Sequence, residues 1–146
     1  MAEKTTVPAE ERHRMIAEAA YFRAYERGFT GGDPVADWIE AERNVDRQLC
    51  ALAVARMRER LESGLATATK NLTALKRRAV SLAADARTEL HAEIEKLGPL
   101  KQAVRGKIDE LAERGEQASQ KTLRQAEKVW GEFSEVMQRI AGGTQH

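Results

Sequence analysis

Three histidines and one cysteine are the obvious candidates for site chemistry, and their spacing works against it. His13, His91 and His146 lie far apart, and none has a second ligand at a spacing that a metal ion uses. The nearest approach is "TELHAEIE", where Glu95 follows His91 by one helical turn and Glu89 precedes it. A lone histidine among acids on a helix surface reads as solvated polar face, so no metal site is expected. The serines at 63, 81, 119 and 134 fall within helical patterns, without a nucleophile elbow or a matching base. The loop "GFTGGDP" has no strand before its glycines and no lysine after them, as a phosphate-binding loop requires. Asp33 would itself occupy the anion-accepting end of the following helix. Cys50 reads as a small apolar residue in a helix seam, with no second cysteine for an internal disulfide. Neither an enzyme nor a cofactor-binding protein is expected.

The charge balance narrows the partners. A net charge of +1 gives no overall field to steer nucleic acid or an anionic membrane. The densest basic run is "KNLTALKRR", Lys70 to Arg78. Two helices joined by a glycine turn invite a helix-turn-helix reading. Yet Asp33, Asp37, Glu40 and Glu42 crowd the first turns of the second helix, where phosphates would have to approach. Nucleic acid is therefore a poor fit. No stretch approaches the roughly 20 apolar residues of a transmembrane helix. The opening "MAEKTTVPAEERHR" lacks the apolar segment of a secretion signal, so a cytoplasmic chain is expected.

The elements that must position these residues are all helical. Aromatic residues make up 5% of the chain and charged residues 32%, the composition of long amphipathic helices. Pro8, with Glu10 and Glu11 behind it, starts a first helix that should run to Arg27. Gly28 stands where a left-handed residue ends a helix, with Phe29 placed for the accompanying apolar contact. Asp33 caps the second helix and Pro34 takes its first position. Downstream, Val35, Trp38, Val45, Leu49 and Leu52 recur at helical spacing, with Glu42 interrupting the stripe. Leu61, Leu65, Ala68, Leu72, Leu75 and Leu82 continue the pattern toward Leu97, either in one helix or in two joined near Gly64.

Gly98-Pro99 is either the turn of a helical hairpin or a kink in a continuing helix, and the turn is the favoured reading, since proline cannot donate the interior hydrogen bond. The last helix then runs from Leu100 to Ile140. Its stripe of Leu123, Ala126, Trp130, Phe133, Met137 and Ile140 is an a/d repeat, whereas Leu97, Val104, Ile108 and Leu111 lie on another phase, which changes near Gly115. The expected fold is all-α. A short hairpin over residues 8–49 precedes a coiled-coil-like antiparallel hairpin over 50–141, broken at Gly98-Pro99, with a frayed tail at 142–146.

One segment carries a recognisable signature. Ala19-Ala20-Tyr21, then Arg27-Gly28-Phe29, then Gly32, then Asp37-Trp38 and Ala41-Glu42 resemble a short bacterial domain family of unknown function, over roughly residues 12–46. The resemblance implies a small helical hairpin and no known activity. Thr30-Gly31 stand where many relatives have a proline beside the loop glycine. Tyr21, Phe22, Tyr25, Phe29 and Trp38 are the available anchors for a miniature aromatic core, and Glu42 is expected to pair with Arg23 or Arg27.

These readings converge on a non-enzymatic interaction or scaffold protein. The hairpin would serve as a docking unit, and the long helices would associate with one another, a second copy or a protein partner. Trp130, Phe133, Met137 and Ile140 form the expected interaction seam, with Met57 and Leu61 opposite Met137 and Ile140 if the chain folds back on itself. The alternatives are a phasin-like protein coating a lipid or polymer granule and a nucleic-acid-associated protein.

Overall fold

The computed structural model describes residues 7–143; His146 and the last residues of the expected tail lie outside them. Four α-helices and one 3-10 turn make up the regular structure, with no strand among the described residues. The chain folds as two units, Met1–Val54 and Ala55–His146.

In the first unit, α1 (Ala9–Glu26) and the start of α2 (Pro34–Ala79) form a hairpin. α1 stops in a Schellman motif. The Phe29 amide donates to the Ala24 carbonyl at 2.8 Å, and the Gly28 amide to Tyr25 at 2.9 Å. α2 starts as its sequence suggests, with Asp33 Oδ1 accepting from the Val35 amide at 3.0 Å. Ile16, Ala41 and Val45 are buried between the helices, with Met15, Ala19, Ala20, Trp38 and Leu49 packed around them. This core is aliphatic with one indole at its edge, and the expected aromatic core does not form.

The second unit is built from three helices: α2 from Ala55 onward, α3 (Ala84–Arg114) and α4 (Gln120–Gly143). The first reversal lies at residues 80–83. There Ser81 donates through its amide and its hydroxyl to the Arg78 carbonyl. The second follows Gly115, at φ 54°, and ends where Ser119 Oγ accepts the Thr122 amide at 3.2 Å.

Helix α3 runs through Gly98-Pro99: the favoured hairpin turn is absent, and the helix continues as in the second reading. Both residues are exposed, so proline disturbs only the solvent side of the helix. On the other side, Leu90, Leu97, Val104 and Leu111 are buried at seven-residue intervals and hold the helix on both sides of the proline. Packing outweighs the local breaker. The helix α4 also includes Gly142 and Gly143, which were expected to end it.

Helices α3 and α4 are antiparallel: Lys107 Nζ donates to Gln125 Oε1 at 3.0 Å, and Arg139 meets Glu93 at 3.9 Å further along. Helices α2 and α4 run parallel. Arg60 pairs with Glu127, Trp130 covers Gly64, and Met137 lines a groove with Asn71, Leu75 and Arg78. Met57 and Leu61 therefore do not face Met137 and Ile140. The third helix supplies the antiparallel partner that a two-helix reading had to seek in α2. Leu61, Leu65, Ala68, Leu75, Leu97, Val104, Leu111, Phe133 and Ile140 are all buried in this unit.

Candidate functional site

The hairpin joins its helices through two arginine–aspartate forks. Arg27 donates from Nη1 and Nη2 to the two Asp37 oxygens at 2.7 and 2.6 Å. Arg23 stands 3.6 Å from the same carboxylate. Asp37 is only 5% exposed, so its charge depends on this fork. The hydrogen bonds from Arg27 hold its carboxyl below the ordinary value of 3.8 against the opposing effect of desolvation, with Arg23 adding charge attraction. At the other end, Arg12 spans Asp46 with bonds of 2.8 and 2.9 Å. The Asp46 carboxyl is lowered by the same bonding.

The loop glycines serve the first fork. Gly28, Gly31 and Gly32 have φ of 73°, 67° and 76°, a region that side chains resist. At Gly32 a Cβ would also strike the Arg27 guanidinium, lying 2.5 Å from Cζ. Arg27 Nε meanwhile donates to the Gly31 carbonyl at 3.2 Å. Arg27, Gly28, Gly32 and Asp37 thus form one folding device: an arginine that closes over a glycine loop and fastens it to α2.

Trp38 is half-buried and packs against the His13 ring at a centroid distance of 5.0 Å. Glu42 pairs with Arg12 at 3.5 Å, not with Arg23 or Arg27. The reason is register: Asp37, one turn nearer the loop, engages both of those arginines.

Tyr21, Phe22, Tyr25 and Phe29 are 55%, 58%, 60% and 59% exposed. They touch one another rather than the core. Tyr21 lies 5.6 Å from Phe22 and 5.6 Å from Phe29 between ring centroids, and Tyr25 lies 6.0 Å from Phe29. Helical phase explains the placement. At about 100° per residue, Tyr25 lies opposite the buried Ile16, whereas Ala20, Arg23 and Arg27 share its side. The sequence carried that signal; it was obscured by the expectation that aromatic residues seek the core. The result is a contiguous aromatic patch on a clamped hairpin.

Residues 11–47 match the family model of DUF2934, a protein family of unknown function. That segment contains both forks, the glycine loop and the four exposed rings. The remainder of the chain matches no family model. No curated protein and no solved structure matches the chain.

The other expected site residues lie in the second unit. Phe133 and Ile140 are 1% and 3% exposed, and Trp130 and Met137 are half-buried against α2. This seam is covered within the chain and is not an open interaction face. Among the described residues, no three histidine, cysteine or acidic side chains gather as a metal site. Nor is any helix long and apolar enough to cross a membrane.

Proposed function

We propose that this chain is a non-enzymatic, all-helical interaction protein of the cytoplasm, whose DUF2934 hairpin docks a protein partner through Tyr21, Phe22, Tyr25 and Phe29. The exposed four-ring patch carries this reading. Aromatic residues are enriched where proteins bind one another, and a contiguous apolar patch facing water marks such a site. The two forks and the glycine loop hold the rings in place, which lowers the ordering cost of binding. The three-helix unit acts as the scaffold. Apart from Val80, its large apolar side chains are spent on internal packing, so docking of a protein partner would use the hairpin. The granule-coating alternative needed the Trp130–Ile140 stripe, which α2 and α3 already cover.

The test is site-specific photo-crosslinking in cells, with benzoylphenylalanine at position 22 or 29 and at the exposed position 105 as a control. Discrete protein adducts from 22 and 29, lost in a Tyr21→Ser/Tyr25→Ser background and absent at 105, are expected. No adduct from 22 or 29, or the same adducts from 105, would reject the docking role.

A further inference from the structure

We infer that the turn between α2 and α3 is a second, independent binding surface, which seats on an anionic phospholipid bilayer. The segment Lys76 to Thr88 carries four cations, Lys76, Arg77, Arg78 and Arg87, against one acid, Asp85. Among the described residues none of the four cations has a carboxylate partner; Lys101 and Arg105 of the same unit are unpaired too, so it is the clustering of the four that sets this turn apart. Lys76, Arg77 and Arg78 lie in the last turn of α2, where cations also complement the helix dipole. That explanation does not extend to Arg87. It stands in the first turn of α3, where the dipole favours acids and a cation gains nothing locally.

Between these charges in the sequence stands Val80, the most exposed of the large apolar residues among those described, at 76%. It occupies the reversal after α2, whose backbone is closed by the Ser81 and Leu82 amides donating to Arg78 and Ala79. An exposed apolar residue at a helix reversal, with cations on both sides of it in the sequence, suits a surface of anionic headgroups. The charges draw it down, and valine enters the acyl boundary. A nucleic-acid backbone would use the same cations but would gain nothing from Val80, and no aromatic ring in this segment offers a stacking platform.

The test is flotation of the full chain with phosphatidylcholine vesicles and with vesicles containing phosphatidylglycerol. Recruitment to the anionic vesicles alone, weakening as salt rises, is expected. Each of Lys76→Gln, Arg77→Gln and Arg87→Gln should reduce partitioning by about fivefold, and Val80→Ser should reduce it with every charge intact. Circular dichroism on each variant establishes that the helices persist. Equal recruitment to both vesicle types would overturn the proposal. So would anionic recruitment that survives the triple glutamine variant but disappears in Tyr21→Ser/Tyr25→Ser, since the hairpin patch would then be the lipid-binding surface. Binding to a DNA duplex that falls with the glutamine variants, with vesicle recruitment indifferent to Val80→Ser, would replace the bilayer by nucleic acid.

Discussion

Replacing Gly64 with alanine sets two effects of similar size against each other, and the structure decides the sign. In an unencumbered helix interior, alanine is favoured over glycine by about 1 kcal/mol. Here α4 intervenes. A Cβ at position 64 would meet the six-membered ring of Trp130, at 2.5 Å from Cζ2 and 3.0 Å from Cζ3, both well inside contact distance. The obstacle is a rigid indole, not the far end of a flexible chain. Trp130 would have to tilt away from α2 and disturb its contact with Phe133, whose ring lies 5.6 Å from it. Such overpacking typically costs about 1–3 kcal/mol. Gly64→Ala should therefore destabilise the protein by up to about 2 kcal/mol net, with about 1 kcal/mol as the central value. The assay is urea unfolding followed by circular dichroism, run as a double-mutant cycle with Trp130→Leu. Once the indole is gone, the same Gly64→Ala change should stabilise by about 1 kcal/mol. If Gly64→Ala stabilised the protein equally in both backgrounds, the parallel packing of α2 on α4 would be refuted.

Pro99→Ala should stabilise the protein by about 1–2 kcal/mol in the same urea assay, because an exposed interior proline costs helix stability while restricting the unfolded chain only slightly. A loss of stability, or a change of oligomeric state by sedimentation velocity, would mean that a turn at Gly98-Pro99 matters after all. The hairpin should loosen in acid. The folded Asp37 and Asp46 carboxyls lie below their ordinary value of 3.8, so their stabilisation is complete above that value and is lost as pH falls beneath it. Fluorine spectra of 5-fluorotryptophan-labelled protein should show the Trp38 signal changing below pH 3.8. Asp37→Asn should perturb that signal already at pH 7 and flatten its acid dependence; an unchanged Trp38 signal in this variant would reject the fork as the fastening.

Chain punctuation was legible wherever the local chemistry and the tertiary packing agreed. Asp33-Pro34 and Gly28 mark helix ends because a cap, a fixed φ and a left-handed residue act within a few positions of themselves. Where the two disagreed, local reading failed. Pro99 is a genuine breaker, but the buried leucines and Val104 on the opposite side of α3 hold the helix together. The true reversal at residues 80–83 contains no glycine or proline, so nothing in "VSLA" announced it. The other reversal did leave a trace, in the phase change near Gly115. A seam that changes phase within one helix and a chain that turns look alike until the third helix is counted. Gly64 looked like a weak point in α2 and is instead a recess for Trp130, a fact held by a residue far away in sequence.

The signature residues of the hairpin divide by what they touch. Arg27, Gly28, Gly32 and Asp37 are accounted for by folding alone, because each makes or permits the fork across the loop. Trp38 packs at the edge of the aliphatic core. Tyr21 and Phe29 have no such reason. Phe29 adopts φ 58°, the one left-handed non-glycine residue among those described, in a loop where glycine stands on both sides of that position within two residues. Glycine would adopt this conformation without strain, and the phenyl ring buries little in exchange, being 59% exposed. A strained backbone position that carries a large exposed apolar side chain is better explained by contact outside the chain than by stability within it. That is why the docking role is proposed for the ring patch and not for the polar fork beside it, whose groups already satisfy one another.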